Sequence, residues 1–423
     1  MASSPQGPAK RLNPGTLVAR SELLEGYVAR EKNLEEHIEN VCEHWGIGSV
    51  YRFDLGQNND GCAPEVARRF EKLHARCETR ELLKDYPAFR CRPLREKLGA
   101  LHGVPADWLI VSAGIEQTIG LLAAAFLGPG DRVCVNRPSF FVFENFSRRM
   151  GAVPVRLELG RGDEFNWSED TFSKYSAVIE EQRPKIVWIA NPNNPTGLSV
   201  PGDLIERIVR RAAEHDTLVV VDEAYGEYTD PPAGVDSSSS LLHRYKNLLV
   251  MRTFSKAYGL ASIRVGYAIS SNTDVLGALL LHSYNYPITQ FSLEIAECAV
   301  EHIDYLEVTR RRLQERRKEF MHGLSALDGI EAVASDCSIM MVRQAGLSAR
   351  ELTRRLERHG IFTARIPGGG EVGDNFIRIN LGKQRDNRFL LRRLAETGAQ
   401  TEGEAVRHAE EARWSDFALE GQQ

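Results

Sequence analysis

The chain has 423 residues, 42% of them hydrophobic and 26% charged, which is enough apolar material to bury sizeable cores in two or three domains. Its 53 basic and 58 acidic residues leave a net charge of −5, which removes the general electrostatic case for binding nucleic acid or an anionic membrane. No run approaches the ~18 consecutive apolar residues of a membrane span, and Met1-Ala2-Ser3-Ser4-Pro5 lacks the apolar core of a signal peptide. Seven cysteines (Cys42, Cys62, Cys77, Cys91, Cys134, Cys298, Cys337) are odd in number and scattered, with no CxxC. That pattern fits reduced thiols in the cytoplasm rather than a disulfide framework, and no metal site is expected.

Residues 1–18 are rich in Pro, Gly and Ser and read as a mobile tail. Residues 21–45 turn helical, with Leu23, Leu24, Val28, Leu34, Ile38 and Val41 on one stripe. A loop of turn formers follows, Leu55-Gly56-Gln57-Asn58-Asn59-Asp60-Gly61. Residues 108–117 read as a strand, a glycine turn at Gly114 and a helix start, where free N–H groups and the positive dipole end make a seat for phosphate. Strand-like runs then recur at 133–135, 153–157, 186–190, 218–221, 248–251 and 265–268, separated by helix-length segments. Apolar strands alternating with helices predict a mainly parallel sheet covered on both faces, with its ligand outside the carboxyl ends of the strands. One long helix is expected over 290–324, its basic run at 310–318 forming a solvated face. A second unit follows, with strands at 338–342 and 376–381 around a helix at 349–359, and the Glu-rich end beyond 395 reads as a frayed helix. No internal repeats are present.

Three segments at strand ends carry the chemistry. Thr253-Phe254-Ser255-Lys256-Ala257-Tyr258-Gly259-Leu260 sets a lysine among hydroxyls, with Arg264 eight positions on. A lysine amine forms Schiff bases with carbonyl compounds, and hydroxyls with a guanidinium suit a phosphate. An aldehyde bearing a phosphate describes pyridoxal phosphate. Upstream stand Asn191-Pro192-Asn193-Asn194-Pro195-Thr196-Gly197 and Asp222-Glu223-Ala224-Tyr225, each after an apolar run.

In this order the three segments resemble the fold-type I pyridoxal-phosphate enzymes, specifically the class I/II aminotransferases, and within them the histidinol-phosphate aminotransferase group. The resemblance covers roughly residues 50–395. It implies an α/β fold: a large domain (61–322) with a mainly parallel seven-stranded sheet flanked by helices, and a smaller α/β domain (323–398). Residues 19–60 would pack with the small domain, and 399–423 would be an extra tail.

By resemblance, Lys256 is the Schiff-base lysine and proton shuttle, and Asp222 pairs with the protonated pyridine nitrogen. Asn194 and Tyr225 bond the ring oxygen, and Phe140 stacks on the ring. The phosphate falls to Gly114, Ile115, Glu116, Thr253, Ser255 and Arg264, with Tyr86 reaching it from a partner subunit. Arg378 clamps the substrate carboxylate through a two-pronged pair. Gly56, Asn194, Asn285 and Arg365 would lie near substrate, Arg365 toward its distal group. A homodimer is implied, from Tyr86 and Asn285 at the subunit boundary.

Two departures from the family's pattern are visible. The loop 55–61 lacks the family's proline, and the glycine run 368–370 is unusual. The implied activity is transamination of an α-amino acid through an external aldimine, with a 2-oxo acid as acceptor. The same apparatus serves decarboxylation, β- or γ-elimination or replacement, and cyclisation, which the motifs do not separate. A transcription-regulator module would need a basic DNA-binding domain, and the first 50 residues are too short and too acidic for one.

Overall fold

Seven apolar runs become the seven strands of one sheet in the computed structural model, which describes residues 25–78, 81–160, 165–229, 237–366 and 370–399. The tail at 1–18, Leu23 and Leu24, residues 400–423 and residues 367–369 of the glycine segment lie outside the described residues.

In chain order the strands are β1 (Tyr51–Arg52), β2 (Leu109–Ser112), β3 (Arg132–Arg137), β4 (Val153–Glu158), β5 (Ile186–Ala190) and β6 (Leu218–Asp222). They continue with β7 (Leu248–Thr253), β8 (Gly266–Ile269), β9 (Ile330–Ala332), β10 (Ile339–Gln344), β11 (Ile361–Phe362) and β12 (Ile377–Asn380). The large sheet has the order β2-β8-β7-β6-β5-β3-β4. It is parallel throughout except at β8, which runs antiparallel to both β2 and β7.

Alternation explains why the central runs are apolar without interruption. Val187, Ile189, Val219 and Val221 join the core on one face of the sheet. Trp188, Val220, Leu249 and Met251 join the core on the other. Each strand is buried twice, as helix-covered parallel sheets require. Helix Ile115–Phe126 packs on one side and helix Gly202–Ala213 on the other.

The helix expected over 290–324 is two helices, Gln290–Glu301 and Tyr305–Ser325. The break falls where His302 leaves helical geometry (φ −115°, ψ 39°) and two turn bonds, Tyr305 N to His302 O and Leu306 N to Ile303 O, redirect the chain. The second helix runs into a three-stranded antiparallel sheet, β12-β10-β9, with its own core of Ile339, Met340, Ile377 and Ile379 against Leu352, Leu356 and Phe320. β1 pairs in parallel with β11, and His37 bonds Glu357 at 3.1 Å, so the segment before residue 60 contacts this second unit.

Candidate active site

The carboxyl ends of β5, β6 and β7 lie abreast. Ala190 is in register with Asp222, and Asp222 with Met251. The three motifs therefore leave the sheet side by side, and the loop 54–61 comes in from the second unit to meet them.

Asp222 closes β6 and is 4% exposed. Its Oδ1 accepts from the Ala224 amide at 3.0 Å. Burial pushes this carboxyl up to about 7, against the opposing pull of the Ala224 N–H and the nearby Lys256 charge. A desolvated carboxylate of this kind calls for a cationic or donor partner. A pyridinium N–H is such a partner, so Asp222 fits the group that the sequence implies.

Lys256 follows β7 in a tight loop. Gly259 N donates to Lys256 O at 2.9 Å, Leu260 N to Phe254 O at 3.1 Å, and Phe254 N to Val265 O at 3.1 Å. Lys256 Nζ stands 5.1 Å from the centre of the Tyr225 ring. Gly56 fills the gap between the two, because a β-carbon there would lie 2.1 Å from the Tyr225 hydroxyl and 2.9 Å from Lys256 Nζ.

The anion seat is built from backbone. Helix Ile115–Phe126 begins at Gly114 (φ 84°, ψ 159°) with no side-chain cap. Arg264, held in left-handed geometry (φ 53°), brings its guanidinium over that helix start, where a β-carbon on Gly114 would be 2.7 Å from Nη2. Arg264 Nη1 donates to Ser255 Oγ at 3.4 Å, and Thr253 Oγ1 accepts from Ser255 N at 3.1 Å. Gly266 lets the helix start approach, since a β-carbon there would be 2.6 Å from Ile115 N. A helix N-terminus, an arginine and two hydroxyls meet the needs of a phosphate.

Arg378, on β12, reaches across from the second unit. Its Nη1 donates to Asn194 Oδ1 at 3.0 Å and its Nη2 to the Asp54 carbonyl, while its buried Nε finds no partner among the described residues. Asn194, Arg378, Gly56, Tyr225 and Lys256 thus form one continuous cluster. Phe140 is half-buried, edge-on to Phe141 and Phe143 at 5.6 Å.

Three expected residues stand apart from this cluster. Arg365 is turned away, because Ala364 rather than Arg365 is directly bridged to Arg378 and shares its face. Its charged neighbours are Arg350 and Asp374, and burial with the Arg350 charge lowers its pKa. The exposed Tyr86 stacks on Tyr286 at 4.8 Å, and Asn285 is also at the surface, its carbonyl accepting from Arg90 N. Within one chain neither reaches Lys256.

Sequence reading passed over two buried supports. Asn193 donates to the Pro138 carbonyl at 3.1 Å and to Thr196 Oγ1 at 3.1 Å, and accepts from Asn136 at 3.2 Å. This ties the Asn194 loop to the segment carrying Phe140. Arg252, 3% exposed, pairs with Glu227 at 3.1 Å beneath the Tyr225 turn. The doubled asparagine of the 191–197 motif was the only signal for the first support. A charged residue inside the apolar run of β7 was the signal for the second.

Residues 49–394 match the family model for aminotransferase class I and II. The histidinol-phosphate aminotransferase of Ruminiclostridium cellulolyticum is 32% identical over 309 residues, 73% of this chain and 82% of that one. That of a Thermoanaerobacter species is 34% identical over 314 residues, 74% and 81% of the two chains. Among solved structures, the histidinol-phosphate aminotransferase of Sinorhizobium meliloti, in complex with pyridoxal-5'-phosphate, superposes with a TM-score of 0.73 at 23% identity, covering 85% of this chain and 93% of that one. The L-threonine-O-3-phosphate decarboxylase of Porphyromonas gingivalis shares the fold at a TM-score of 0.69 and 22% identity, over 83% of this chain and all of that one. The chain belongs to the class I and II aminotransferases, and it is a transferase with pyridoxal phosphate as its cofactor.

Proposed function

We propose that this protein moves the amino group of an α-amino acid to a 2-oxo acid, with Arg378 holding the donor's carboxylate and Lys256 carrying the proton. The observation that supports this most is the cluster itself: Arg378 bonds Asn194 and the Asp54 carbonyl, and Gly56, two residues on, touches Tyr225 and Lys256. A carboxylate clamp and a proton carrier then flank one small space. Pyridoxal phosphate, when bound, supplies an electron sink for the substrate's α-carbon.

The chain's own residues do the rest. Asp222 would hold the pyridine nitrogen protonated, and Asn194 and Tyr225 would donate to the ring oxygen. Phe140 would cover the ring face. The helix start at Gly114-Ile115-Glu116, with Thr253, Ser255 and Arg264, binds the phosphate. Lys256 Nζ would hold and pass on the proton that leaves the substrate's α-carbon, as general base and then acid.

In this reading the enzyme works as a homodimer. Support comes from an exposed apolar face: Tyr86, Phe89, Leu281 and Tyr284 are 82%, 54%, 87% and 73% exposed, and Tyr86 stacks on Tyr286 beside Asn285. Large exposed apolar patches mark contact surfaces. We also place the protein in the cytoplasm, a reading supported by seven cysteines that are all free. Among the described residues no helix is long and apolar enough to cross a membrane.

The deciding experiment is a single-turnover scan of amino acids without acceptor, followed by product mass. Transamination yields the matching 2-oxo acid and an aminated cofactor. Release of carbon dioxide or of a side-chain leaving group instead would overturn the reading in favour of decarboxylation or elimination.

A further inference from the structure

The loop 54–61 touches more of the site than Gly56 alone. Asn58 Nδ2 donates to the carbonyl of Ala257, the residue after Lys256, at 3.0 Å, and to Gly61 O at 3.3 Å. Its Oδ1 accepts from Asp60 N at 2.9 Å, so both ends of the amide are used. Ala257 is 1% exposed, and its carbonyl therefore depends on a protein donor. The two loops meet backbone to backbone: a β-carbon on Gly259 (φ +69°) would stand 2.3 Å from Gly61 C and O.

The loop that carries Asn58 is itself anchored. Asp60 takes both oxygens to Arg316 Nη2, at 2.6 and 2.7 Å, on the long helix Tyr305–Ser325. The pair is mostly shielded, 13% and 17% exposed. On the other side Asn380 Nδ2 donates to Gln57 O at 2.9 Å, and Arg378 to Asp54 O. A lysine side chain on a flexible four-carbon stem is aimed mainly by the backbone beneath it. Here that backbone is gripped from outside by one amide.

We propose that Asn58 is the positioning residue for Lys256, fixing its peptide at the Ala257 carbonyl and tying it to the strand that carries Arg378. This rests on the reading of Lys256 as the proton carrier; the amide-exchange measurement below does not depend on it.

Asn58→Asp is nearly isosteric and keeps the acceptor for Asp60 N, but has no donor for Ala257 O. In the holoenzyme, the Gly259 and Leu260 amides, which close the Lys256 loop, should exchange with solvent about tenfold faster in N58D than in wild type. In the holoenzyme the pH midpoint of the cofactor's absorbance should shift. There kcat should fall roughly 10- to 100-fold with KM within about threefold, as expected of a misplaced catalytic group rather than a lost binding contact. Unchanged exchange and an unmoved absorbance midpoint would overturn the proposal.

Asp60→Asn leaves Asn58 in place but weakens the Arg316 anchor, removing its charge and one of its two acceptors, and serves if N58D does not fold. It should speed the same amides by about threefold, and wild-type exchange there would equally overturn the proposal. Failure of the Lys256 reading looks different: borohydride then labels another residue in wild type, whatever the exchange rates show.

Discussion

Gly56 is pressed against the tip of Tyr225, with room for a hydrogen but not for a carbon: a β-carbon would lie 2.1 Å from the hydroxyl and 2.9 Å from Lys256 Nζ. Gly56→Ala should therefore fold but displace Tyr225 or Lys256. A displacement of about 1 Å near reacting atoms is worth roughly a hundredfold in rate. Thermal melting and kcat/KM measured together would test this, and a G56A enzyme within threefold of wild type would contradict it.

Asp222 makes two linked predictions. Asp222→Ala should lower turnover by about a hundredfold or more, because in the proposed role its carboxylate keeps the ring nitrogen cationic. In the apoenzyme, burial raises this carboxyl from 3.8 to about 7. The folded chain then holds a proton that the unfolded chain has already released, so Asp222 lowers stability as pH rises from about 4 to about 7. Asp222→Asn removes that loss. The melting temperature of apo D222N minus that of apo wild type should grow with pH across this window and level off above it. A difference independent of pH would contradict the assignment.

Arg378→Lys keeps the charge and loses the planar fork that now spans Asn194 and the Asp54 carbonyl. Charged hydrogen bonds are worth about 1.5–3 kcal/mol each, so apparent KM should rise by about tenfold or more. Cofactor absorbance should not change. Titration with the substrate and with its α-amide is the check. Equal binding of both ligands by wild type and mutant would show that Arg378 does not hold the carboxylate.

The exposed face around Tyr86 and Leu281 gives a prediction about assembly. Leu281→Arg places a charge in the middle of an apolar contact and should shift the protein toward monomer in size-exclusion chromatography. Cofactor affinity should fall with it, because in the proposed dimer Tyr86 serves the partner's phosphate site. A dimer of undiminished stability would place the interface elsewhere.

Much of the sheet was legible because each central strand is buried on both faces, so its residues form unbroken apolar runs such as Ile186–Ala190 and 218–221. The places of Lys256, Asp222 and Asn194 at the carboxyl end of the sheet were legible because each stands at or shortly after the end of such a run. The break at His302 was not, because the helical spacing of apolar residues continues through it. Nor was the grip of Asn58 on Ala257, 199 positions away, since nothing local marks a contact that only tertiary packing creates. The facing of Arg365 was not legible for a related reason: which face of an extended segment a residue takes depends on its register, and the bridge of Ala364 to Arg378 sets that register. The two-residue strands at 51–52 and 361–362 are too short to leave a periodic signal.

The central claim is that Lys256 bears the cofactor, and borohydride reduction tests it most directly. The purified holoenzyme, yellow from its bound Schiff base, should lose that absorbance on reduction and carry the pyridoxyl group on the one peptide containing Lys256. A label on any other lysine, with Lys256 unmodified, would contradict the account.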